Sequence, residues 1–368
     1  MKEKSYSQKL RKEAAGFLPV AHSPSEGVIE WSCPSNIAIV KYWGKKKNQL
    51  PLNPSLSMTL EKASTRTRLQ YHFDPAGGRP QVTFRYEGKE MPSFEKRVKD
   101  FLGSLSSFIP CLSYTRLSID SSNTFPHSSG IASSASAMGA LALCLVSMEH
   151  RIMGTGNSEF MRKSSFIARL GSGSASRSVY PGFSAWGTSG EWPGSNDEYA
   201  VPFSGYNKIF EGLGDSILIV DKGKKQVSSS AGHGLMEDHP FATARYRQAS
   251  SNFAALLQIL KEGDWNGFIA LLEEEALALH AMMMSGRPGY MLMQPGTLSI
   301  IQKIRSFRAD TGTRTGFTLD AGANVHLLYA AEEEHSVREF IATDLIIHCE
   351  DQQVIHDRMG GGPREVLP

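Results

Sequence analysis

The stretch 126–137, PHSSGIASSASA, constrains the fold of this chain more than any other segment. It combines a proline, a glycine and several small residues, and it leads into the apolar segment 138–146, which predicts a buried helix. A helix entered through such a turn presents unpaired backbone N–H groups and the positive end of its dipole, so it can hold a phosphate chain. The hydroxyls of Ser133, Ser134 and Ser136 can donate to phosphate oxygens or reach a magnesium ion. The alternative, which is the commoner case for such runs, is an ordinary Ser/Gly turn before a core helix.

Composition and charge exclude several classes of protein. The chain has 368 residues, 40% hydrophobic and 21% charged, so it has material for two globular domains. A formal net charge of +2 gives no reason to expect nucleic acid or an acidic membrane as a partner. The four cysteines show no CxxC spacing, which favours buried thiols in a reducing cytosol. The charged N-terminus lacks a secretion signal and no apolar run reaches membrane-spanning length, so we expect a soluble cytoplasmic protein.

Strand-like and helix-like segments alternate along the chain, which predicts an α+β protein with two domains. We assign residues 1–27 to an N-terminal extension, 28–205 to the first domain and 206–368 to the second, because Gly, Pro and Ser accumulate between Trp186 and Asp215. Strands are predicted over Val28–Cys33, Leu56–Leu60, Thr65–Phe73, Gln81–Tyr86, Tyr114–Asp120, Phe183–Gly187, Asp215–Asp221, Gly316–Asp320 and Val325–Ala330. Helices are predicted near Phe94–Ile109, Ser158–Leu170, His239–Leu260, Trp265–Met283, Thr297–Arg308 and Glu333–Asp344.

Two lysines follow the first apolar strand of the chain. Lys41 and Lys45 flank Tyr42-Trp43-Gly44, so at least one ammonium is expected at a strand end rather than in open solvent. An ammonium there is a compact positive charge that can stabilise a phosphoryl group or a developing oxyanion. Taken alone, the lysines are better explained as a solvated run of charges, since two more lysines follow Lys45.

An arginine and an aspartate complete the set of candidate charged groups. Arg177 ends the small-residue run GSGSASR, so its planar fork can reach inward to a carboxylate or a phosphate, although a structural ion pair is as good an explanation. Asp320 closes a buried strand beside a glycine turn, where it could act as a base toward a substrate hydroxyl. The alternative for Asp320 is an ordinary turn hydrogen bond.

Several common sites are absent from the sequence or weakly indicated. There is no GxxxxGK[ST] loop, and the two GxG pairs lack a final glycine and a preceding strand, which excludes a P-loop and argues against a Rossmann site. The histidines His233, His239 and His280 lack metal-ligand spacing, so we treat them as surface or core residues. The methionines around the segment 286–289 are more typical of core filling than of a cofactor site.

Four blocks of the sequence together resemble the diphosphomevalonate decarboxylases, a branch of the GHMP kinase superfamily. The serine-rich loop alone indicates only the superfamily, whereas the patterns KYWGK, GSGSAxRS and DAGxN are specific to the decarboxylase branch. The blocks, which span nearly the whole chain after residue 27, are PSNIAIVKYWGK (34–45) with PSLS (54–57), NTFP (123–126) leading through Gly130 to ASSA (132–135), GSGSASRS (171–178) and FTLDAGAN (317–324).

The resemblance implies a fold and a reaction. It implies a two-domain GHMP kinase fold, with an N-terminal ATP-binding domain like domain 2 of ribosomal protein S5, a ferredoxin-like C-terminal domain and a site in the cleft between them. The implied reaction uses Mg²⁺ and ATP to phosphorylate the tertiary 3-hydroxyl of mevalonate diphosphate. Phosphate and carbon dioxide then leave, giving isopentenyl diphosphate and ADP. A homodimer is also implied.

The resemblance also implies roles for individual residues. Asp320 would orient the 3-hydroxyl, Lys41 would stabilise the phosphoryl group in transit, and Arg177 would hold the substrate carboxylate. The nucleotide phosphates would be bound by Gly130, Ser133, Ser134 and Ser136, with Ser134 also near the magnesium ion. The diphosphate end of the substrate would meet Tyr42, Lys45 and Ser174.

Two other functions remain open at the level of the sequence. One is a GHMP-family kinase that stops at a phosphorylated product, such as a mevalonate 3-kinase, or a relative that acts on a monophosphate. The joint presence of Lys41, Arg177 and Asp320 argues against it, because a simple kinase does not need to hold a carboxylate beside the phosphorylated carbon. The other is a nucleotide-binding scaffold without turnover, which the presence of both Lys41 and Asp320 disfavours.

Overall fold

The structure, a computed structural model, describes residues 5–17, 25–74, 81–125, 131–154, 158–223 and 229–367. Within these ranges the chain forms an eight-stranded sheet and a four-stranded sheet, each packed against helices. The predicted α+β architecture with two domains is therefore confirmed. None of the helices in these ranges combines the length and the apolar character that a membrane crossing requires.

The first sheet contains most of the N-terminal half of the chain and one strand from the far end. Its path is β12-β1-β2-β5-β3-β4, with β6 paired to β2 and β7 to β6, and all pairs are antiparallel except β3 with β5. The second sheet is antiparallel, in the order β11-β8-β10-β9. The strands are β1 (Glu26–Val40), β2 (Ser55–Phe73), β3 (Gln81–Tyr86), β4 (Lys89–Glu90), β5 (Thr115–Asn123), β6 (Phe183–Trp186), β7 (Val201–Pro202), β8 (Gly214–Leu218), β9 (Thr315–Leu319), β10 (Val325–Tyr329), β11 (Val354–Arg358) and β12 (Arg364–Leu367).

Helices cover both sheets. In the first domain α3 and α4 pack on each other, and α3 lies on β1 and β2; in the second, α8 and α9 lie against β9. The α-helices are α1 (Tyr6–Ala15), α2 (Pro92–Ser104), α3 (Ser133–Met153), α4 (Phe160–Gly171), α5 (Ala175–Ser178), α6 (Ser229–Gly234), α7 (Ala242–Glu262), α8 (Trp265–Ser285), α9 (Pro295–Thr311) and α10 (Glu334–Phe340).

Helix α3 is the centre of the first domain and differs from the prediction at its start. The sequence predicts a helix from Met138, but α3 begins five residues earlier at Ser133, directly after Ala132 in the left-handed region (φ 43°). The serines are therefore the first turn of the helix rather than the end of a loop. Burial of the helix follows from its apolar composition, since nearly every side chain from Gly139 to Glu149 is buried.

The N-terminal extension, to which the sequence analysis assigned no structure, contains α1. Ser5 caps this helix by accepting a hydrogen bond from the backbone N–H of Gln8. Tyr6 and Leu10 are buried in the core of the first domain, and the Tyr6 ring packs edge-on against Phe166. This packing could not be predicted from the charged N-terminal sequence, because only two side chains of the helix are buried.

Two contacts of the C-terminal segment help to join the domains. The predicted division at residue 205 places all residues beyond it in the second domain, but β12 pairs with β1 of the first sheet. This pairing covers the free backbone edge that β1 would otherwise expose. The Asp357 carboxylate of β11 accepts backbone N–H groups of β2, with distances of 2.9, 2.8 and 2.7 Å to Glu61, Lys62 and Ala63. The C-terminal segment thus stabilises the first sheet.

Candidate active site

Lys41 lies at the end of β1, where the chain leaves the core. The four residues before it are buried, and the lysine side chain itself is only 2% exposed. Its Nζ donates to the carbonyl oxygen of Ala38 at 2.7 Å and lies 3.9 Å from Oδ1 of Asp320. Burial lowers the pKa of Lys41 to about 8, and the neighbouring Asp320 carboxylate opposes that shift. The ammonium is therefore a desolvated cation beside a carboxylate, not part of a solvated run.

Asp320 follows β9 and faces Lys41 from the second domain. Its side chain is 27% exposed, so the carboxylate is open to a ligand on one side while it meets the ammonium on the other. The hydrogen bonds that stabilise the turn after β9 go to the backbone carbonyl oxygen of Asp320, not to its carboxylate. The Gly322 N–H and the His280 imidazole donate to this oxygen at 2.8 and 3.0 Å. The carboxylate thus remains available for chemistry.

Arg177 is buried without a carboxylate partner among the described residues. It is 1% exposed, its Nη1 donates to Ser55 Oγ at 2.7 Å, and its Nε donates to Ser57 Oγ. Burial lowers its pKa to about 10, while Tyr42 and Asp320 oppose the shift. Among the described residues, Arg177 therefore does not form the structural ion pair that was the alternative explanation for it. A buried guanidinium with N–H groups to spare is suited to a carboxylate or phosphate ligand.

The three residues predicted for the diphosphate end of the substrate lie near this group. Tyr42 is half-buried with its ring edge-on to Trp186, and its hydroxyl is buried without a protein partner among the described residues. Lys45 is half-buried and donates to Gln49 at 3.1 Å. Ser174 is half-buried at the start of α5, and its side chain makes no capping bond there. Their polar atoms are thus largely uncommitted.

Gly173 allows the close approach of these elements. A Cβ at this position would lie 2.7 Å from the Trp186 ring and 3.0 Å from the Tyr42 ring, closer than side chains tolerate. The glycine in GSGSASR is therefore required for α5 to pack beside Tyr42. This packing brings Arg177 and the end of β1 into one region.

The structure separates the predicted nucleotide ligands. Ser134 is exposed, with its Oγ 3.3 Å from Ser172 Oγ, and Ser133 is half-buried beside it. Ser136, in contrast, is fully buried, and its hydroxyl is hydrogen bonded to Thr65 Oγ1 at 2.7 Å and to the Ser133 carbonyl at 3.2 Å. Ser136 comes two residues after the exposed Ser134 and lies on the buried face of α3, so its position argues against the predicted phosphate contact. Gly130 lies outside the described residues.

The start of α3 fits a nucleotide phosphate chain and its magnesium ion. Among the described residues no side chain caps the helix, so its first N–H groups are open to an anion. Mg²⁺ usually takes only one or two protein oxygens and keeps water and phosphate oxygens as its other ligands. The Ser134 hydroxyl can provide one such oxygen, and the described residues hold no cluster of three or more His, Cys, Asp or Glu side chains suited to a metal.

Sequence reasoning missed several residues that support the site. Ser55 and Ser57, which hold Arg177, appear in a matched block but carry no local signal of that contact. Glu275 accepts the backbone N–H of Lys41 at 2.8 Å, and His280, treated as a surface or core histidine, is a core residue bonded to Asp320. These partners lie 40 to 234 residues apart in the chain, so no local pattern could have found them.

Comparisons with known proteins agree with this geometry. Residues 33–200 match the profile of the diphosphomevalonate decarboxylase-like N-terminal domain, and residues 216–365 match that of the mevalonate 5-diphosphate decarboxylase C-terminal domain. The diphosphomevalonate decarboxylase of Ganoderma lucidum is 30% identical over an alignment of 336 residues that covers 84% of this chain and 80% of that protein.

Solved structures give the same result. The mevalonate diphosphate decarboxylase of Staphylococcus aureus is 26% identical with a TM-score of 0.80, covering 93% of this chain and 98% of that one. A structure described as MDDEF in complex with MVAPP, AMPPCP and magnesium is 26% identical with a TM-score of 0.78, covering 93% and 100%. The fold and site define a member of the GHMP superfamily of ATP-dependent small-molecule enzymes. Within that class, the chain belongs to the diphosphomevalonate decarboxylase family, which confirms the resemblance.

Proposed function

We propose that this protein catalyses the ATP-dependent decarboxylation of mevalonate 5-diphosphate to isopentenyl diphosphate, carbon dioxide, ADP and phosphate. This is a step of the mevalonate pathway of isoprenoid biosynthesis. Family membership supports the proposal, as does the related structure that holds MVAPP with magnesium and AMPPCP, an ATP analogue. The observation that carries it is the buried Arg177, which has no carboxylate partner in the described ranges and lies beside the Lys41–Asp320 pair.

The first chemical step is phosphorylation of the tertiary 3-hydroxyl, which is otherwise a poor leaving group. The Asp320 carboxylate orients this hydroxyl and accepts its proton as the oxygen bonds to the γ-phosphorus of ATP, while the bond from that phosphorus to the bridging oxygen breaks and ADP leaves. The Lys41 ammonium stabilises the negative charge on the transferred group. At 3.9 Å from Asp320, the ammonium is close enough to interact with that carboxylate and with a phosphoryl oxygen next to it.

The second step breaks two bonds. The phosphate leaves C3 with the C–O bonding electrons, and the electrons of the bond between C2 and the carboxylate form the new double bond as carbon dioxide departs. Arg177 holds the carboxylate by paired N–H bonds and so aligns the bond that breaks. Ser55 and Ser57 fix the guanidinium in its buried position while leaving N–H groups for the substrate.

The remaining predicted residues bind the two phosphate chains. The open N–H groups of α3 and the hydroxyls of Ser133 and Ser134 bind the nucleotide phosphates, and Ser134 also holds the magnesium ion. When bound, Mg²⁺ neutralises phosphate charge. Tyr42, Lys45 and Ser174 bind the far phosphates of the substrate. Gly130 remains a predicted nucleotide ligand.

The cellular location and the domain boundary are proposed from the sequence, and the homodimer from the family resemblance alone. We expect a cytoplasmic homodimer whose domains divide near residue 205. The four cysteines are buried and form no disulfide, which is compatible with a reducing compartment.

A direct assay tests the reaction. Purified protein with Mg²⁺-ATP and mevalonate diphosphate should release carbon dioxide and isopentenyl diphosphate in equal amounts. A phosphorylated acid without gas release would instead identify a kinase, and ATP binding without product a scaffold. Repeating the assay with mevalonate monophosphate determines which substrate is preferred.

The role of Asp320 is tested by replacing it. Asp320→Ala should abolish turnover and leave ATP affinity within about threefold, because the carboxylate acts on the hydroxyl rather than on the nucleotide. Turnover is followed by carbon dioxide release and affinity by isothermal titration calorimetry. An equal loss of ATP binding would assign Asp320 to the nucleotide site instead.

A further inference from the structure

Glu275 of α8 is fully buried and meets the backbone of Lys41. Its Oε2 accepts the Lys41 N–H at 2.8 Å, although the two residues lie on different domains. Arg245 of α7 donates to both carboxylate oxygens, at 2.9 and 2.5 Å, and Asn252 donates to Oε1 at 2.7 Å. Both oxygens of the Glu275 carboxylate therefore accept hydrogen bonds, and these bonds fix its position.

His280 lies on the same helix, five residues further along, and meets the backbone of Asp320. Its Nε2 is 3.0 Å from the Asp320 carbonyl oxygen. A carbonyl can only accept, so the histidine donates from Nε2. Burial lowers the pKa of His280 to about 4, so the ring is a neutral donor at neutral pH.

We propose that Glu275 and His280 are positioning residues: helix α8 sets the separation of the Lys41 ammonium and the Asp320 carboxylate by binding the backbone of each. This inference rests on the proposed function, since it concerns the two groups assigned to phosphoryl transfer. It assigns a catalytic contribution to side chains that contact no substrate.

Helix α8 contacts two residues, Lys41 and Asp320, that are placed by different sheets. Lys41 ends a strand of the first sheet, whereas Asp320 follows a strand of the second, so neither sheet alone fixes their distance of 3.9 Å. Glu275 and His280 are carried by one 21-residue helix, which is a rigid support. A shift of about 1 Å between reacting groups can cost about a hundredfold in rate.

Glu275 also contributes to the charge around Lys41. The groups that act on the ammonium are the carboxylates of Asp320, Glu275 and Asp215, which raise its pKa, and Arg177, which lowers it. Removal of the Glu275 charge should therefore lower the pKa of Lys41 further. A purely structural role of Glu275 in packing would not change this titration.

Glu273 provides a matched control on the same helix. It is also buried and pairs with two arginines, Arg305 and Arg308, at 2.9 and 2.6 Å, but it contacts neither Lys41 nor Asp320. Glu275→Gln should reduce kcat for carbon dioxide release about tenfold or more, with KM for both substrates within about threefold. The basic limb of its pH profile should move to lower pH. Glu273→Gln should leave kcat and the basic limb of the pH profile unchanged, even if both variants are destabilised to a similar extent.

The histidine is tested by a conservative pair. Glutamine can still donate to the Asp320 carbonyl, whereas methionine fills the space without a donor. His280→Gln should retain kcat within about threefold, and His280→Met should lose about tenfold or more. This pair decides the proposal if Glu275→Gln does not fold.

Two results would overturn the inference. One is a kcat for Glu275→Gln that equals that of Glu273→Gln, and the other is an equal kcat for the two His280 variants. NMR titration of the Lys41 side chain in ¹³C-lysine protein, assigned with Lys41→Met, gives a readout that needs no turnover. A lowered pKa in Glu275→Gln supports the inference even if the wild type releases no carbon dioxide, whereas an unchanged pKa counts against it.

Discussion

The region around Arg177 and the region around Arg245 show two ways to bury a guanidinium. Both side chains are almost inaccessible, at 1% and 4% exposed. Arg245 meets the Glu275 carboxylate through two hydrogen bonds, so its charge is neutralised within the protein. Arg177 meets only serine hydroxyls on β2 and lies over the Trp186 ring, and no carboxylate pairs with it in the described part of the chain.

The difference shows how function can be distinguished from stability. A buried ion pair with full hydrogen bonding roughly balances its own desolvation, whereas a buried cation without a counter-charge destabilises the fold. Such a cation is useful only when a ligand supplies the missing negative charge. The unpaired Arg177 therefore fits the proposed substrate site, whereas the paired Arg245 holds Glu275 beneath it.

Among the changes that test the comparison of the two arginines, Arg177→Met is expected to have the largest effect. Removing the partner of a buried substrate carboxylate costs about 2 to 5 kcal/mol, so kcat/KM should fall about a thousandfold. The urea midpoint should stay the same or rise, because an uncompensated charge is removed. Steady-state kinetics and urea unfolding measure the two effects. A loss below about tenfold would show that the substrate carboxylate binds elsewhere.

Arg245→Met should show the opposite pattern. It leaves the Glu275 charge buried without its cation, so the free energy of unfolding should fall by about 3 kcal/mol. The double variant Arg245→Met/Glu275→Leu should recover much of that stability but not the activity, since the acceptor for the Lys41 N–H is then missing. Urea unfolding checks both variants. Equal stability of Arg245→Met and the wild type would remove the contrast between the two arginines.

The pH dependence of kcat/KM sharpens the comparison. Lys41 must be protonated to stabilise the phosphoryl group, and with its pKa lowered to about 8 it is charged at pH 7 and loses its proton above about pH 8. Activity should therefore fall about tenfold per pH unit beyond that point. Lys41→Arg should move this limb to higher pH. The residual activity of Arg177→Met should show the same upward shift, because Arg177 lowers the pKa of Lys41.

The contrast between a side chain with protein partners and one without also applies to the serine hydroxyls of α3. The effect expected there is the smallest of those predicted. Ser136 is satisfied by Thr65 and Ser133, whereas Ser134 is exposed at the start of α3. Ser134→Ala should raise KM for ATP about fivefold, in line with the loss of one hydrogen bond. Ser136→Ala should leave that KM within about twofold and lower the melting temperature instead. The reverse order would return Ser136 to the nucleotide site.

Much of the fold and part of the site could be predicted from the sequence. The strands around Lys41 and Asp320 follow from apolar runs that end at a charge, and the motifs that carry Lys41, Arg177 and Asp320 identified the family. The burial of Ser136 was not predicted, because the start of α3 was placed five residues too late, which concealed the inward direction of this side chain. Glu275 and His280 were missed because each bonds to a backbone atom, which can belong to any residue type.

The pairing of β12 with β1 bears on how the molecule is synthesised. The sheet that carries Lys41 begins at Glu26, yet its outer partner, Arg364–Leu367, is translated only after the whole second sheet. Until β12 has been synthesised, the edge of β1 has unpaired backbone N–H and C=O groups, and such edges can pair with other nascent chains. Assembly of the first sheet therefore cannot finish before the second sheet has been translated, because its last strand comes after that sheet in the chain.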